Sequence, residues 1–236
     1  KVSTKDVQQL CTWMKTEARV DRSDGKTGVA DRQILNCYSL CSRALDRAVK
    51  ENLIAQNPAI GCKLSPIKQE EMKILSREAM QKVLIQAKEE NYYELFLLEF
   101  ATGLRLGELT ALQWDDLDLN TGELRIRRQA VTVDSDVIIT EPKTKAANRT
   151  LILPPQVVTV LREYKTKVDS RWVFPSPKKE DTHLRPSVIH HRLHSILDHA
   201  GCERIRFHDL RHTFATNALA HGMDVKTLSN TLGHYS

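Results

Sequence analysis

No stretch of this 236-residue chain stays apolar for the ~18–20 residues that a membrane span requires, so a spanning helix is not indicated. The sequence has no CxxC pair, and its five cysteines (Cys11, Cys37, Cys41, Cys62, Cys202) are odd in number and scattered. Cys37 and Cys41 stand four apart on one helical face, which suits buried thiols in a reducing, cytosolic compartment better than a disulfide. A GxxxxGK[ST] loop is missing, so ATP or GTP is not implied. A strong dicarboxylate pattern for two-metal cleavage is missing too. The nearest approach to a zinc site is His190-His191-Arg192-Leu193-His194. It offers HxxxH on a helix but lacks the HExxH glutamate and a third ligand, and it reads better as a solvated basic helix.

What is present is an ordinary globular composition, with 41% apolar and 28% charged residues. The length suffices for one large or two modest domains. Net charge is +5 and uneven. Residues 1–75 carry 13 Lys and Arg against 9 Asp and Glu, while the rest carry 22 against 21, out of totals of 35 and 30. An excess in the smaller front segment is what a polyanion-gripping segment would show. The chain opens on Lys1-Val2-Ser3 rather than methionine, and a piece of a longer protein is expected.

Periodicity divides the chain in three. Ser3-Thr4 caps a first predicted helix carrying Val7, Leu10 and Trp13-Met14. After a polar, glycine-containing loop at 21–28, a long amphipathic helix is predicted from Asp31 to Leu53. Its apolar stripe is Ile34, Tyr38, Cys41, Leu45, Ala48-Val49 and Leu53, with Arg32, Arg43, Arg47 and Lys50 off the stripe. Asn57-Pro58 ends this unit. Residues 1–64 form one expected helical domain, 65–75 a linker, and 76–236 a second, larger domain. In that second domain Ser76 offers an N-cap, and helical patterns cover Val83–Ala87 and Leu95–Phe100. A further helix is predicted from Leu106 to Trp114. Between 122 and 153 the period changes to short strands at Leu124–Ile126, Val131–Val133, Val137–Ile139 and Leu151–Leu153. Helices return at 157–161 and at Val188–Leu197. The fold class is therefore mainly α with a small antiparallel β-sheet.

Chemistry concentrates in four places. Arg206-Phe207-His208-Asp209-Leu210-Arg211-His212-Thr213 crowds two histidines and two arginines into eight residues. His208 and Arg211 are three apart and share a helix face. Leu232-Gly233-His234 closes a short helix, and a glycine there can take the left-handed turn that aims the next side chain. Thr102 to Leu109 places Arg105 at a tight helix start with Glu108 three residues on. Pro142 to Arg149 forms a lysine-bearing tip between two strands.

In order and spacing, ATGLRLGEL at 101–109, PKTKAANR at 142–149, HDLRHTFAT at 208–216 and LGH at 232–234 resemble the tyrosine recombinases of the phage integrase family. Residues 28–59 look like the helical core-binding domain of that family, and the closest flavour is integrases of phages and conjugative transposons in Gram-positive bacteria. The resemblance implies a two-domain, C-shaped clamp around duplex DNA, acting in the bacterial cytoplasm. It implies that Arg105 and Arg211 hold the scissile phosphate, a task that planar guanidiniums also suit on chemical grounds. By the same resemblance Glu108 buttresses Arg105, His208 handles the nucleophile's proton or contacts the phosphate, and His234 donates to the phosphate. Lys143 becomes the general acid, with Lys145 competing for that role.

The resemblance also implies DNA contacts from Arg32, Arg43, Arg47, Lys50 and Lys145. It implies a homotetramer on two DNA sites, and it admits an excisionase-type directionality factor. No cofactor is implied. The family's tyrosine nucleophile follows the LGH motif by roughly nine residues, which puts it past Ser236. None of Tyr38, Tyr92, Tyr93, Tyr164 and Tyr235 stands at the matching place. Two rival readings share the residues. One is a type IB topoisomerase-like nicking and closing enzyme, and the other is a DNA-binding module without chemistry.

Overall fold

The computed structural model describes residues 2–19, 27–67, 72–134, 136–141, 148–178 and 181–233. The chain forms two compact units, Lys1–Glu71 and Met72–Ser236.

In the first unit, α1 (Thr4–Thr16) starts at Ser3, whose hydroxyl accepts from the Asp6 amide while the Asp6 carboxylate accepts from the Ser3 amide. This reciprocal cap satisfies donors that the helix leaves unpaired. α1 packs on α2 (Asp31–Lys50) through the buried Val7, Cys11 and Ile34. Gln8 ties the following segment in, donating to the Lys63 carbonyl at 3.1 Å and accepting from the Lys63 amide at 2.7 Å. α2 stops at Lys50, short of the predicted Leu53, which is 72% exposed. The reason is local: Asn52 adopts a left-handed conformation (φ 57°) and the Leu53 amide reaches back to the Ala48 carbonyl at 2.9 Å. That 6→1 bond closes a Schellman-type end. Asn57 is buried, donating to Asp46 at 2.7 Å and accepting from the Ala59 amide, and so anchors the exit from α2.

The second unit is mostly helical: α3 (Arg77–Glu89), α4 (Tyr93–Thr102), α5 (Leu106–Thr110), α6 (Pro155–Lys165), α7 (Pro186–His199), α8 (Phe207–Ala220) and α9 (Val225–Leu232). α4 is apolar nearly all round and lies in the centre, packed by α3, α6 and α8. Phe96, Leu98, Leu104, Leu109, Ile189, Leu193, Ile196 and Leu197 form the heart of the core. α5 ends at Thr110 rather than Trp114. There Asp116 accepts from the Gln113 amide at 2.9 Å and caps a separate 3-10 turn, Trp114–Asp116.

The strands form two antiparallel sheets among the described residues. β1 (Leu117–Asp118), β2 (Glu123–Ile126) and β5 (Arg149–Ile152) make one in the order β1-β2-β5. β3 (Gln129–Val133) and β4 (Asp136–Thr140) make a separate hairpin. The break between β2 and β3 falls where Arg127 and Arg128 are both drawn onto the buried Asp116, at 3.0 and 2.8 Å. The hairpin packs on α5 so closely that a Cβ at Gly107 would lie 2.5 Å from the Ala130 carbonyl oxygen.

Candidate functional site, an arginine cluster at the end of α9

Arg105 is the N-cap of α5, and its backbone amide donates to Glu108 Oε2 at 3.0 Å. Its side chain folds onto the same carboxylate, Nη1 to Oε1 at 2.9 Å, and remains 40% exposed. Glu108 itself is buried and is also gripped from the strand side. Arg149, the first residue of β5, donates Nη1 to Oε1 at 3.0 Å and Nη2 to Oε2 at 2.8 Å. Burial alone would push the Glu108 carboxyl up, but Arg149 and then Arg105 hold it below the usual range. The acid is therefore ionised, and it fixes two guanidiniums at once.

Arg211, on α8, is buried. Its Nη1 donates to the Gly103 carbonyl at 2.8 Å and its Nη2 to the Leu232 carbonyl. Gly103 ends α4 in a left-handed conformation (φ 58°), and a Cβ there would fall 2.6 Å from the Phe214 ring. Only glycine fits that corner, which is what turns the carbonyl toward Arg211. Burial, then the neighbouring Arg105, lowers the Arg211 pKa to about 10, so the guanidinium stays charged at neutral pH.

The cluster converges on one helix end. The last carbonyls of a helix lack partners and carry its negative pole. Here Thr231, Leu232 and Gly233 carbonyls accept from Arg149 Nε (2.6 Å), Arg211 Nη2 and Arg105 Nη2 (3.1 Å) in turn. Gly233 is left-handed (φ 63°), as the sequence suggested. Both Arg105 and Arg211 keep further N–H groups for an anion.

His208 lies on α8 three residues before Arg211, but on the exposed side of the helix. Its ring meets His212 edge-on, centroids 4.7 Å apart. Partial burial, then His212 and Arg211, lowers its pKa, so the neutral imidazole persists below the ordinary histidine range. The other arginine of that stretch has a separate job. Arg206 donates Nε and Nη2 to the buried Asp209 carboxylate at 3.1 and 2.9 Å, and this pair caps α8.

Arg105, Glu108 and Arg211 are thus brought together from segments about a hundred residues apart. Lys143, Lys145 and His234 lie outside the described residues. Arg32, Arg43, Arg47 and Lys50 are exposed along α2, and Arg47 pairs with Glu51 at 2.5 Å. Sequence reasoning missed Arg149 as the second holder of Glu108. The two are 41 residues apart, and only the closing of β5 against β2 joins them. It also missed Glu99, a fully buried acid on α4.

Comparison with known proteins adds to this geometry. The integrase of ICEBs1 from Bacillus subtilis (strain 168) is 26% identical over 225 residues, which is 89% of this chain and 60% of that protein. A XerC-like tyrosine recombinase from Caldanaerobacter subterraneus subsp. tengcongensis is 32% identical over 217 residues, 79% of this chain and 55% of that protein. The chain therefore spans little more than half the length of these relatives. Among solved structures, the Tn1549 transposon integrase in complex with a circular intermediate DNA superposes with a TM-score of 0.84 at 17% identity, over 100% of this chain and 78% of that one. A lambda integrase dimer bound to a COC' core site gives 0.68 at 18% identity, over 100% and 80%. At these identities the structural likeness is one of fold. Residues 67–236, which hold the whole arginine cluster, match the phage integrase family, and the chain belongs to that family.

Proposed function

We propose that the protein carrying this chain is a site-specific DNA recombinase that integrates and excises a mobile element or prophage. It cuts one strand through a 3′-phosphotyrosine link, frees a 5′-hydroxyl, and rejoins the phosphoryl group to a partner strand. The bond energy stays in the covalent intermediate, so strand exchange needs no nucleotide hydrolysis. The observation that carries this reading is the convergence of Arg105 and Arg211 on the Leu232 and Gly233 carbonyls, both guanidiniums still having N–H groups to spare.

In this reading a scissile phosphodiester sits against Arg105 and Arg211. As the displacement proceeds, charge builds on the non-bridging oxygens, and preorganised guanidiniums stabilise it without reorganising. Glu108 and Arg149 are positioning residues, since they hold Arg105 and do not meet the DNA. His208, neutral and at the surface, takes the proton of the incoming tyrosine or donates to the phosphate. His234 adds a donor, and Lys143 or Lys145 protonates the leaving 5′ oxygen. The nucleophile is the tyrosine that the resemblance puts past Ser236. Tyr164 is unsuited, because burial pushes its hydroxyl up to about 12 and its ring is packed between Trp114 and Phe174.

The unit Lys1–Glu71 serves as the core-binding domain, with Arg32, Arg43, Arg47 and Lys50 on phosphates. Four protomers act on two DNA sites in the bacterial cytoplasm, with an excisionase-type factor setting direction. The test is Arg105→Ala and Arg211→Ala in the full-length protein. Strand cleavage is lost in both while most DNA affinity remains, because many other phosphate contacts carry binding. Undiminished cleavage by Arg211→Ala rejects the phosphate-holding role.

A further inference from the structure

Glu99 has no place in the chemistry above, yet it occupies the wall of the cluster. It lies on α4 in the turn that ends at Gly103, and its own backbone carbonyl accepts from the Gly103 amide at 2.8 Å. The Gly103 carbonyl in turn receives Arg211. The Glu99 side chain is fully buried, and neither carboxylate oxygen has a hydrogen-bond partner among the described residues. An ionised carboxylate in that position would be costly. Of the elements packed around α4, α8 brings the Arg211 charge to bear on it and the adjoining α5 brings Glu108, with opposite effects. Burial outweighs both and holds the proton on well above the usual carboxylate range.

Resting on the phosphate-binding role of Arg105 and Arg211, we propose that Glu99 is kept as a neutral acid in the wall behind Arg211, so that it does not cancel the positive charge that the cluster offers to a phosphodiester. Charge bookkeeping makes the case. Arg105, Arg149 and Arg211 are cationic, and ionised Glu108 offsets one of them. A second ionised acid would offset another and leave less attraction for an incoming phosphate. The Glu108 charge also opposes ionisation of Glu99, which favours the same assignment. Phosphate binding and the Glu99 proton are therefore linked: each favours the other.

The sign follows from the raised pKa. Between the pKa of glutamate in the unfolded chain and the higher one in the fold, the folded state keeps a proton that the unfolded state has lost. Stability from this group is full below the unfolded value and declines as pH rises through the folded one. The test compares the full-length protein with Glu99→Gln, which is neutral at every pH, in two measurements. The first is the unfolding equilibrium as a function of pH. The ratio of wild-type to variant unfolding constants is predicted to rise about tenfold per pH unit in that interval. The second is single-turnover cleavage of a nicked attachment-site duplex. Glu99→Gln is predicted to match wild type at neutral pH and to fall behind it at no pH.

If Glu99→Gln does not fold, Glu99→Met, of similar length and with no polar atom needing a partner, takes its place in both measurements. Parallel stability profiles overturn the proposal, since they mean that Glu99 is ionised. A loss of cleavage at neutral pH as large as that of Arg211→Ala overturns it too, since it makes the carboxylate a needed counter-ion. Diverging stability profiles with cleavage untouched by Arg211→Ala reject the phosphate-holding role itself, and with it the reason for the neutral acid.

Discussion

Arg149 and Glu108 form a doubly hydrogen-bonded pair, 3.0 and 2.8 Å, between the first residue of a strand and the only full turn of a short helix. Neither residue is expected to touch DNA. Their pairing sets where Arg105 points, because Arg105 donates to the same carboxylate through both backbone and side chain. A sheet edge, a helix start and a phosphate-seeking guanidinium are thereby one mechanical unit.

Breaking that unit should cost stability as well as activity. Glu108→Gln keeps the volume but removes the carboxylate charge that Arg149, with its side chain 6% exposed, pairs with. Removing one partner of a buried pair costs ~3–5 kcal/mol, which for a unit of this size lowers Tm by on the order of 10 °C. Arg149→Ala should behave alike, and the double variant should be far less destabilised than the two losses added. Thermal unfolding of the four proteins checks this. Additive losses would show that the pair is not a unit.

The pH profile of cleavage should place its acid limb below the ordinary histidine value of 6.5, because partial burial, His212 and Arg211 all oppose the charging of His208. A lowered pKa keeps the neutral base present as pH falls, so the rate declines only once pH drops through the lowered value. His208→Gln should flatten that limb and reduce the rate. Single-turnover rates across pH 5 to 8 (roughly the histidine range) supply the readout.

Two glycines should resist even alanine. At Gly107 the added Cβ meets a backbone oxygen at 2.5 Å, and at Gly103 it meets the Phe214 ring at 2.6 Å with φ at +58°. Each substitution should destabilise by ~1–3 kcal/mol. Gly103→Ala should also impair cleavage, since its carbonyl positions Arg211. Denaturant unfolding and cleavage assays on the two variants separate the packing cost from the positioning cost.

The general acid can be assigned chemically. A sulphur in place of the bridging 5′ oxygen leaves without needing a proton, so a variant lacking the acid regains cleavage on that substrate. Lys143→Ala is predicted to be rescued in this way and Lys145→Ala to need no rescue. The reverse pattern moves the role to Lys145.

Much of this was legible in the sequence because the relevant signals are local. Ser3 as a cap, the glycine-ended helices at Gly103 and Gly233, and the strand period between 122 and 153 each depend on neighbouring residues. Of the residues that the four motifs offered, Arg105, Glu108 and Arg211 come together among the described residues. What was not legible depends on residues far apart in the chain. The split into two sheets follows from Asp116 drawing in Arg127 and Arg128. The early end of α2 is the exception, a local effect of the left-handed Asn52 that leaves Leu53 outside the helix. Arg149 looked like one more basic residue on a lysine-rich tip, and Glu99 was not singled out within the helical pattern of Leu95–Phe100. Pairing and burial reveal both, and spacing reveals neither.

The central claim is covalent chemistry through a tyrosine, and trapping that intermediate tests it most directly. The full-length protein is incubated with a nicked attachment-site duplex from which the cleaved fragment diffuses away, and the products are run on a denaturing gel. The account predicts a protein–DNA adduct that maps to a tyrosine past Ser236 and that disappears in Arg211→Ala. Tight binding with no adduct would contradict it, and would leave a DNA-binding protein without strand-transfer chemistry.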